Sequence, residues 1–272
     1  KNHGIDSKRI VAVSLTGQMH GTFLVNSKGE LARKKAIIWL DSRTNKMLNE
    51  FYSAGVADRI YDISGWRLMT SMQVLHLSWL IKNEPDTVNR TKYFMPCKDY
   101  IRFRLTGVPS IDMTDGSVTG LMNIIEGKWS YELCEELMIP KEILPPLKYS
   151  WEYAGQITRE AAEKTGLKEG TPVAAGAGDA FSTALGAGVI KPQQLCIIIG
   201  TAGVYELVVD KPLFDEKRRY FIAYHAVPNS WIIGAVQMTA GASLRWFRDK
   251  FCYEEREMAE RMKKSVYTLM DE

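Results

Sequence analysis

The sequence predicts an α/β protein. Short apolar runs ending in polar or glycine-rich turns alternate with segments whose apolar residues recur at helical spacing. Two turns carry most of the information: Gly176-Ala177-Gly178-Asp179-Ala180 and, about twenty residues later, Ile199-Gly200-Thr201-Ala202-Gly203. The first sets a carboxylate on a flexible turn, and the second closes an apolar strand with a Gly-Thr turn. An acid near backbone that approaches phosphate closely suits phosphoryl transfer to a hydroxyl. A glycine-flanked Asp serves equally in ordinary turns, so this pattern alone leaves both readings open.

Residues 9–14 form a mostly apolar run, expected as a buried strand reaching the turn Thr16-Gly17-Gln18. Strands at 22–26 and 36–40, joined by the turn Asn26-Ser27-Lys28-Gly29, suggest an antiparallel meander attached to a larger sheet. From Ser42 to about Leu105 the periodicity is helical. Helices are expected over 45–54, over 72–81 before Asn83-Glu84-Pro85, and over 97–105 before Thr106-Gly107. Another is expected over 129–138, ended by Pro140, with Ile143-Leu144-Pro145-Pro146 as a rigid connector. Thr158 is the expected N-cap of a helix to Thr165, with Gly166 just past its end. A strand over 172–175 leads into the Asp179 turn and a small-residue helix over 180–187. Beyond Lys191-Pro192, expected to connect two domains, come strands over 195–199, 204–209 and 231–236. Ala240-Gly241-Ala242-Ser243 then opens a helix containing Arg245-Trp246-Phe247.

Hydrophobic residues make up 46% of the 272 positions and charged residues 25%, the composition of an ordinary globular protein with a sizeable core. A net charge of +3 gives no basic face for nucleic acid, and clusters such as Arg33-Lys34-Lys35 and Lys217-Arg218-Arg219 are expected as solvated turns. Cys97, Cys134, Cys196 and Cys252 form no CxxC pair, which predicts neither a disulfide framework nor a zinc site and points to a reduced, cytoplasmic setting. No stretch approaches the roughly 18 apolar residues of a membrane span, and no signal peptide is expected.

Several other positions offer chemistry without deciding it. Gln18-Met19-His20-Gly21 places polar groups at a strand end, where α/β proteins tend to hold ligands; a lone His also simply caps such a turn. Asp41 and Arg43, in Trp39-Leu40-Asp41-Ser42-Arg43-Thr44, suit sugar hydroxyls or a surface ion pair. His76 on an apolar helix is expected to be structural. Asp112 and Asp115 suit a divalent ion only weakly. Ala240-Gly241-Ala242 at a helix N-terminus offers free N–H groups to phosphate, or merely close helix packing.

In their order along the chain these segments are more specific. Thr16-Gly17-Gln18-Met19-His20-Gly21, Ile38 through Thr44, Trp129 through Pro146, Gly176-Ala177-Gly178-Asp179, Gly200-Thr201 and Ala240 through Phe247 together resemble the FGGY family of carbohydrate kinases, and most closely its xylulokinase branch. The strand–Gly/Thr turn–strand unit is also similar to the phosphate-binding hairpin of actin-like ATPases. The resemblance implies two ribonuclease-H-like, actin-type domains flanking a cleft. The expected division is 1–190 for the sugar-binding domain and 191–272 for the start of the nucleotide-binding domain.

By the same resemblance, Asp179 is the expected general base for the attacking sugar hydroxyl. Gln18, Met19 and His20 line the sugar pocket, with Asp41 and Arg43 in support. Gly200, Thr201 and Gly241 contact ATP, whose phosphates Mg²⁺ bridges. The implied acceptor is a ketopentose such as D-xylulose. Alternatives are another sugar, polyol or sugar acid (ribulose, glycerol, erythritol, gluconate), or a non-catalytic actin-like sugar-binding protein. No nucleic acid, membrane or resident protein metal is expected, and a homodimer is compatible with the family. Three departures qualify the likeness. Family members are longer and open with an Asp-x-Gly-Thr loop, so both domains are expected to be incomplete here, with exposed sheet edges and an inactive or poorly stable isolated chain. Ala180 stands where xylulokinases commonly have Asn, and His76 where the family's first signature usually has Lys.

Overall fold

Thr16–Gly17 runs parallel to Ala177–Gly178, with Thr16 opposite Ala177 and Gly17 opposite Gly178. A bridge from Val13 to Val173 extends this pairing upstream. The structure, a computed structural model, describes Gly4 and residues 6–271. The outer limits of the expected two-domain division, residues 1 and 272, therefore lie outside the described residues.

The run 9–14 is less buried than its composition suggests. Only Val13 pairs, and Val11 is 84% exposed, because Pro172–Ala174 covers one edge of this segment and nothing among the described residues covers the other. Gly176 makes the crossing that follows feasible. Its φ is +81°, and a side chain there would collide with the Leu15 carbonyl, so only glycine lets the two backbones meet. Its N–H donates to Ser150 and the N–H of Ala177 to Leu15.

The meander is partly corrected. Phe23–Val25 is a strand, and Asn26 closes the expected turn by accepting from the N–H groups of Lys28 and Glu30. Its strand partner, however, is Tyr93–Met95, antiparallel, which the sequence patterning does not single out. The expected strand 36–40 reduces to the single bridge Thr22–Ile37, because the charged bend Arg33-Lys34-Lys35 turns outward and Arg33 bonds Glu84 at 2.9 Å.

The helices follow their patterns closely: Asn45–Ser53, Gln73–Asn83, Cys97–Thr106 ended by Gly107 at φ +72°, and Arg159–Thr165. Thr158 caps the last by accepting from Ala161 N–H at 3.2 Å. Asp179 itself opens the helix Asp179–Gly186.

The C-terminal part is one antiparallel sheet with strand order Leu195–Ile199, Gly203–Val209, Trp231–Gln237, Phe221–Tyr224. Its Val208, Phe221, Ile222 and Ile232 join the same apolar core as Leu24, Trp66, Leu75 and Leu77. Ile222 also donates its N–H to the Gly65 carbonyl at 2.9 Å. The core therefore runs continuously past Lys191-Pro192. Leu195–Ile199 is an edge strand, with Ile197 50% and Ile199 70% exposed, and the Gly241–Phe251 helix leaves Trp246, Phe247 and Phe251 exposed.

Candidate active site

Asp179 stands exposed at the first residue of its helix, where the dipole and free amides favour a carboxylate. One oxygen accepts the N–H of Ala180 at 2.9 Å, which fixes the side chain's direction. Partial enclosure by surrounding protein raises its pKa, and the amide bonds pull the other way. The carboxyl is thus oriented, reachable and somewhat more basic than a free aspartate.

The turn before it is braced from behind. Thr114 Oγ1 accepts the Gly178 N–H at 2.9 Å and donates to Asp112 Oδ2 at 2.6 Å. Asp112 in turn belongs to a cluster in which the side chains of Lys98, Asp99, Arg102, Asp112 and Asp115 have no solvent exposure. Lys98 Nζ lies 2.9 Å from Asp99 and 3.0 Å from Asp115, and also bonds Asp112. Arg102 bonds Asp99, the Ser110 hydroxyl at 2.8 Å and the Ala175 carbonyl at 2.6 Å. Burial alone would discharge Lys98, but Asp112, Asp99 and Asp115 together hold its pKa well above the ordinary lysine range. Three carboxyls face two cations, and burial pushes the pKa of Asp115 well up and that of Asp99 up, against the pull of Lys98. Asp99, Asp112 and Asp115 are close enough to ligate an ion, but the Lys98 ammonium already sits among them. The weak divalent-ion reading of Asp112 and Asp115 gives way to a buried structural ion network.

His20 is buried at φ +61°, and its ring meets Trp66 edge-on at 5.5 Å. Burial pushes its pKa down to about 4, which the neighbouring Gln73 only partly offsets. His76 is also fully buried, its Nδ1 within 2.9 Å of the Thr22 hydroxyl and its pKa down at about 4 through burial and then through His20. Both rings are neutral hydrogen-bonding groups. Gln18 and Met19 are half-buried, and Met19 packs so tightly on Gly178 that a side chain at Gly178 would strike it. The Gln18-Met19-His20 turn and the Asp179 turn therefore meet.

Asp41 and Arg43 form one rigid unit. The guanidinium makes bonds of 2.9 and 2.7 Å to the carboxylate and lies 4.9 Å from the Trp79 ring centroid. Hydrogen bonds from Arg43 hold the Asp41 pKa down at about 2. The charges of both act on the pKa of His76, which puts the pair on the His76 side of the site.

Gly200, Thr201 and Gly241 are brought together too, though not as expected. The N–H groups of Gly241 and Ala242 donate to the carbonyls of Gly200 and Thr201, at 3.0 and 3.3 Å, so this helix N-terminus is not free. Gly241 is needed for that approach, since a side chain would collide with Gly200 O. Among the described residues, it is the N–H groups of Thr201 and Ala202 that have no hydrogen-bond partner. The exposed turn thus presents amides to an anion while the helix supports it.

Residue patterning alone passes over Trp66, Gln73, Lys98, Thr114 and Glu206. His20 Nδ1, Trp66 Nε1 and both polar atoms of Gln73 are buried without a well-formed hydrogen bond. Such orphaned groups are costly unless a ligand or water completes them. A concavity of about 570 Å³ lined by Asn123, Trp129 and Tyr131 contains none of these residues.

Residues 1–186 match the model of the FGGY family of carbohydrate kinases, N-terminal domain. The chain is 32% identical over 255 residues to xylulose kinase of Bacillus subtilis, covering 92% of this chain and 50% of that protein. It is 30% identical over 275 residues to autoinducer-2 kinase of Salmonella typhimurium, covering 98% and 51%. The ligand-bound crystal structure of xylulose kinase from Lactobacillus acidophilus superposes with a TM-score of 0.87 at 26% identity, covering 98% of this chain and 52% of that one. The chain thus spans about half the length of the curated relatives it matches.

Proposed function

The chain belongs to the FGGY family of carbohydrate kinases, and we propose that it carries the acceptor pocket and general base of an ATP-dependent kinase. The observation that carries this reading is Asp179: an oriented, reachable carboxyl on a turn braced by Thr114 and meeting the Met19 turn. In the proposed reaction a substrate hydroxyl gives its proton to Asp179, its oxygen attacks the γ-phosphorus of ATP, and the bond to ADP breaks. An aspartate is a modest base, so most of the rate must come from alignment and from electrostatic stabilisation of the transferring group.

His20, with Gln18 and Met19, lines the sugar pocket in this reading, and the Asp41–Arg43 unit supports its rim. In this reading the Gly200-Thr201 turn holds ATP phosphates through the N–H groups of Thr201 and Ala202, with Gly241 packed against Gly200. Mg²⁺ would arrive with the nucleotide and neutralise its phosphates, because the acidic cluster behind the turn is already filled by Lys98. A ketopentose such as D-xylulose is the proposed acceptor. Residues 1–190 are proposed as the sugar-binding domain and 191–272 as part of the nucleotide-binding domain, in a cytoplasmic protein. Among the described residues no helix is long and apolar enough to cross a membrane.

The test is ADP release with Mg·ATP and a panel of D-xylulose, D-ribulose, glycerol, erythritol and gluconate, alongside sugar binding. Asp179→Asn is expected to abolish turnover and leave sugar affinity nearly intact. Equal turnover by the variant would remove Asp179 as the base; a full-length protein that binds sugar but turns over none of the panel would favour a binding protein.

A further inference from the structure

Glu206 is fully buried, yet neither carboxyl oxygen has a hydrogen-bond partner. It lies in the middle of the Gly203–Val209 strand, where an apolar side chain would pack at no such cost. Buried acids of this kind persist where a ligand completes them, and the surroundings of Glu206 indicate which ligand.

Strand register gives its direction. Glu206 pairs with Gly234, and Gly234 pairs with Phe221, so Glu206 and Phe221 project from the same face of the sheet. Between them Gly234 has no side chain, and a Cβ there would lie 2.6 Å from the tip of the Phe221 ring. Phe221 therefore leans across the gap toward Glu206. On its other side Phe221 stacks on Trp66 with centroids 4.2 Å apart, and Trp66 meets His20 edge-on. The face bearing Glu206 is thus continuous, through two aromatic rings, with the orphaned polar atoms of Trp66, Gln73 and His20. Burial pushes the Glu206 pKa up to about 7, and the Asp179 carboxyl adds to the shift, so the two acids share one electrostatic environment.

Resting on the proposed acceptor pocket, we propose that Glu206 discriminates among acceptors: its carboxyl hydrogen-bonds a hydroxyl of a neutral ketose or polyol and repels a substrate that carries its own carboxylate. Two acids bearing on one pocket impose like-charge repulsion on a sugar acid, while a hydroxyl satisfies the orphaned oxygens. Specificity here is as much rejection as attraction.

The test is equilibrium binding of D-xylulose, erythritol and gluconate to the full chain, to Glu206→Gln and to Glu206→Leu, with thermal melts of each. The wild type is expected to bind its preferred neutral ligand at least about tenfold tighter than gluconate. Glu206→Gln keeps a hydrogen-bonding group and should shrink that ratio at least about threefold. Glu206→Leu should weaken the neutral ligand about tenfold or more without lowering the melting temperature, because an unpaired acid has been removed. A purely structural Glu206 would leave the order of ligand affinities unchanged. Wild-type preference for gluconate, or unchanged affinities in both variants, overturns the inference while leaving the kinase reading intact. Binding of none of the three by the wild type removes the acceptor pocket and this inference with it. Should Glu206→Leu fail to fold, the gluconate ratio in Glu206→Gln decides.

Discussion

The Thr114 hydroxyl takes a hydrogen bond from the Gly178 N–H at 2.9 Å and passes one to Asp112 at 2.6 Å. This single side chain links the buried ion network to the turn presenting Asp179. The position of the proposed base is therefore set from the interior, by groups that never meet solvent.

Removing that link should cost both stability and rate. Thr114→Val leaves a buried amide and a buried carboxylate each short of a partner, a loss of about 2–4 kcal/mol. Thr114→Ser keeps the hydroxyl and should lose about 1 kcal/mol or less. Denaturant midpoints measure the first effect, and kcat in the active protein the second. Equal stability of the Val and Ser variants would show that the hydroxyl carries no strain-bearing role.

The ion network should tolerate loss of an acid better than loss of its cation. Lys98→Met leaves three buried carboxyls with Arg102 alone, and a cost of about 3–5 kcal/mol is expected. Adding Asp115→Asn should restore part of that stability, because burial disfavours the charged form of Asp115 and the amide removes that charge. A double variant no more stable than Lys98→Met would contradict that account.

Buried histidines and buried acids pull the pH dependence of stability in opposite directions. His20 and His76 have pKa values depressed from 6.5 to about 4, so their contribution is full above 6.5 and is lost as pH falls toward 4. Glu206 is raised from 4.5 to about 7, so its contribution is full below 4.5 and is lost as pH rises through 7. In the acid window the two histidines are opposed by Glu206 and by Asp115, whose pKa burial also raises, so the melting temperature should change little between pH 4.5 and 6.5 and decline slightly above it as Glu206 loses its contribution. In melts from pH 4.5 to 8, Glu206→Gln should turn the flat region into a climb and weaken the decline.

For the active protein, Asp179→Asn should lower kcat by about 10²–10⁴, the usual worth of a positioned general base. The KM for the acceptor should change little, because the carboxamide fills the same space. A parallel rise in KM would make Asp179 chiefly a binding group.

The exposed strand Leu195–Ile199 and the aromatic residues of the Gly241–Phe251 helix should make the isolated chain self-associate. Light scattering during size-exclusion chromatography measures this, and a monodisperse monomer at high concentration would refute it. The same measurement tells a defined homodimer from open-ended association.

Local signals were legible where local physics decides. Thr158 as N-cap, Gly107 and Gly166 as helix ends, and the strand Leu195–Ile199 all depend on neighbours a few residues away. The strand Tyr93–Met95 was not legible, because its partner Phe23–Val25 lies about seventy residues away and the run is short. The expected strand 36–40 failed for the opposite reason: its apolar pattern is sound, but tertiary packing pairs it only at Ile37.

By itself the sequence determined the α/β class, most helix boundaries and the ordered turns Gln18-Met19-His20, Asp179 and Gly200-Thr201, because caps, glycines and hydrophobic periodicity act over short distances. Only the tertiary structure decided what those turns face. It placed Lys98 among Asp99, Asp112 and Asp115 where a metal ion was conceivable, and spent the Gly241 amide on Gly200. It also buried Glu206 unpaired on the face that leads to His20. Burial, pairing and charge balance belong to residues distant in sequence, and no local pattern encodes them.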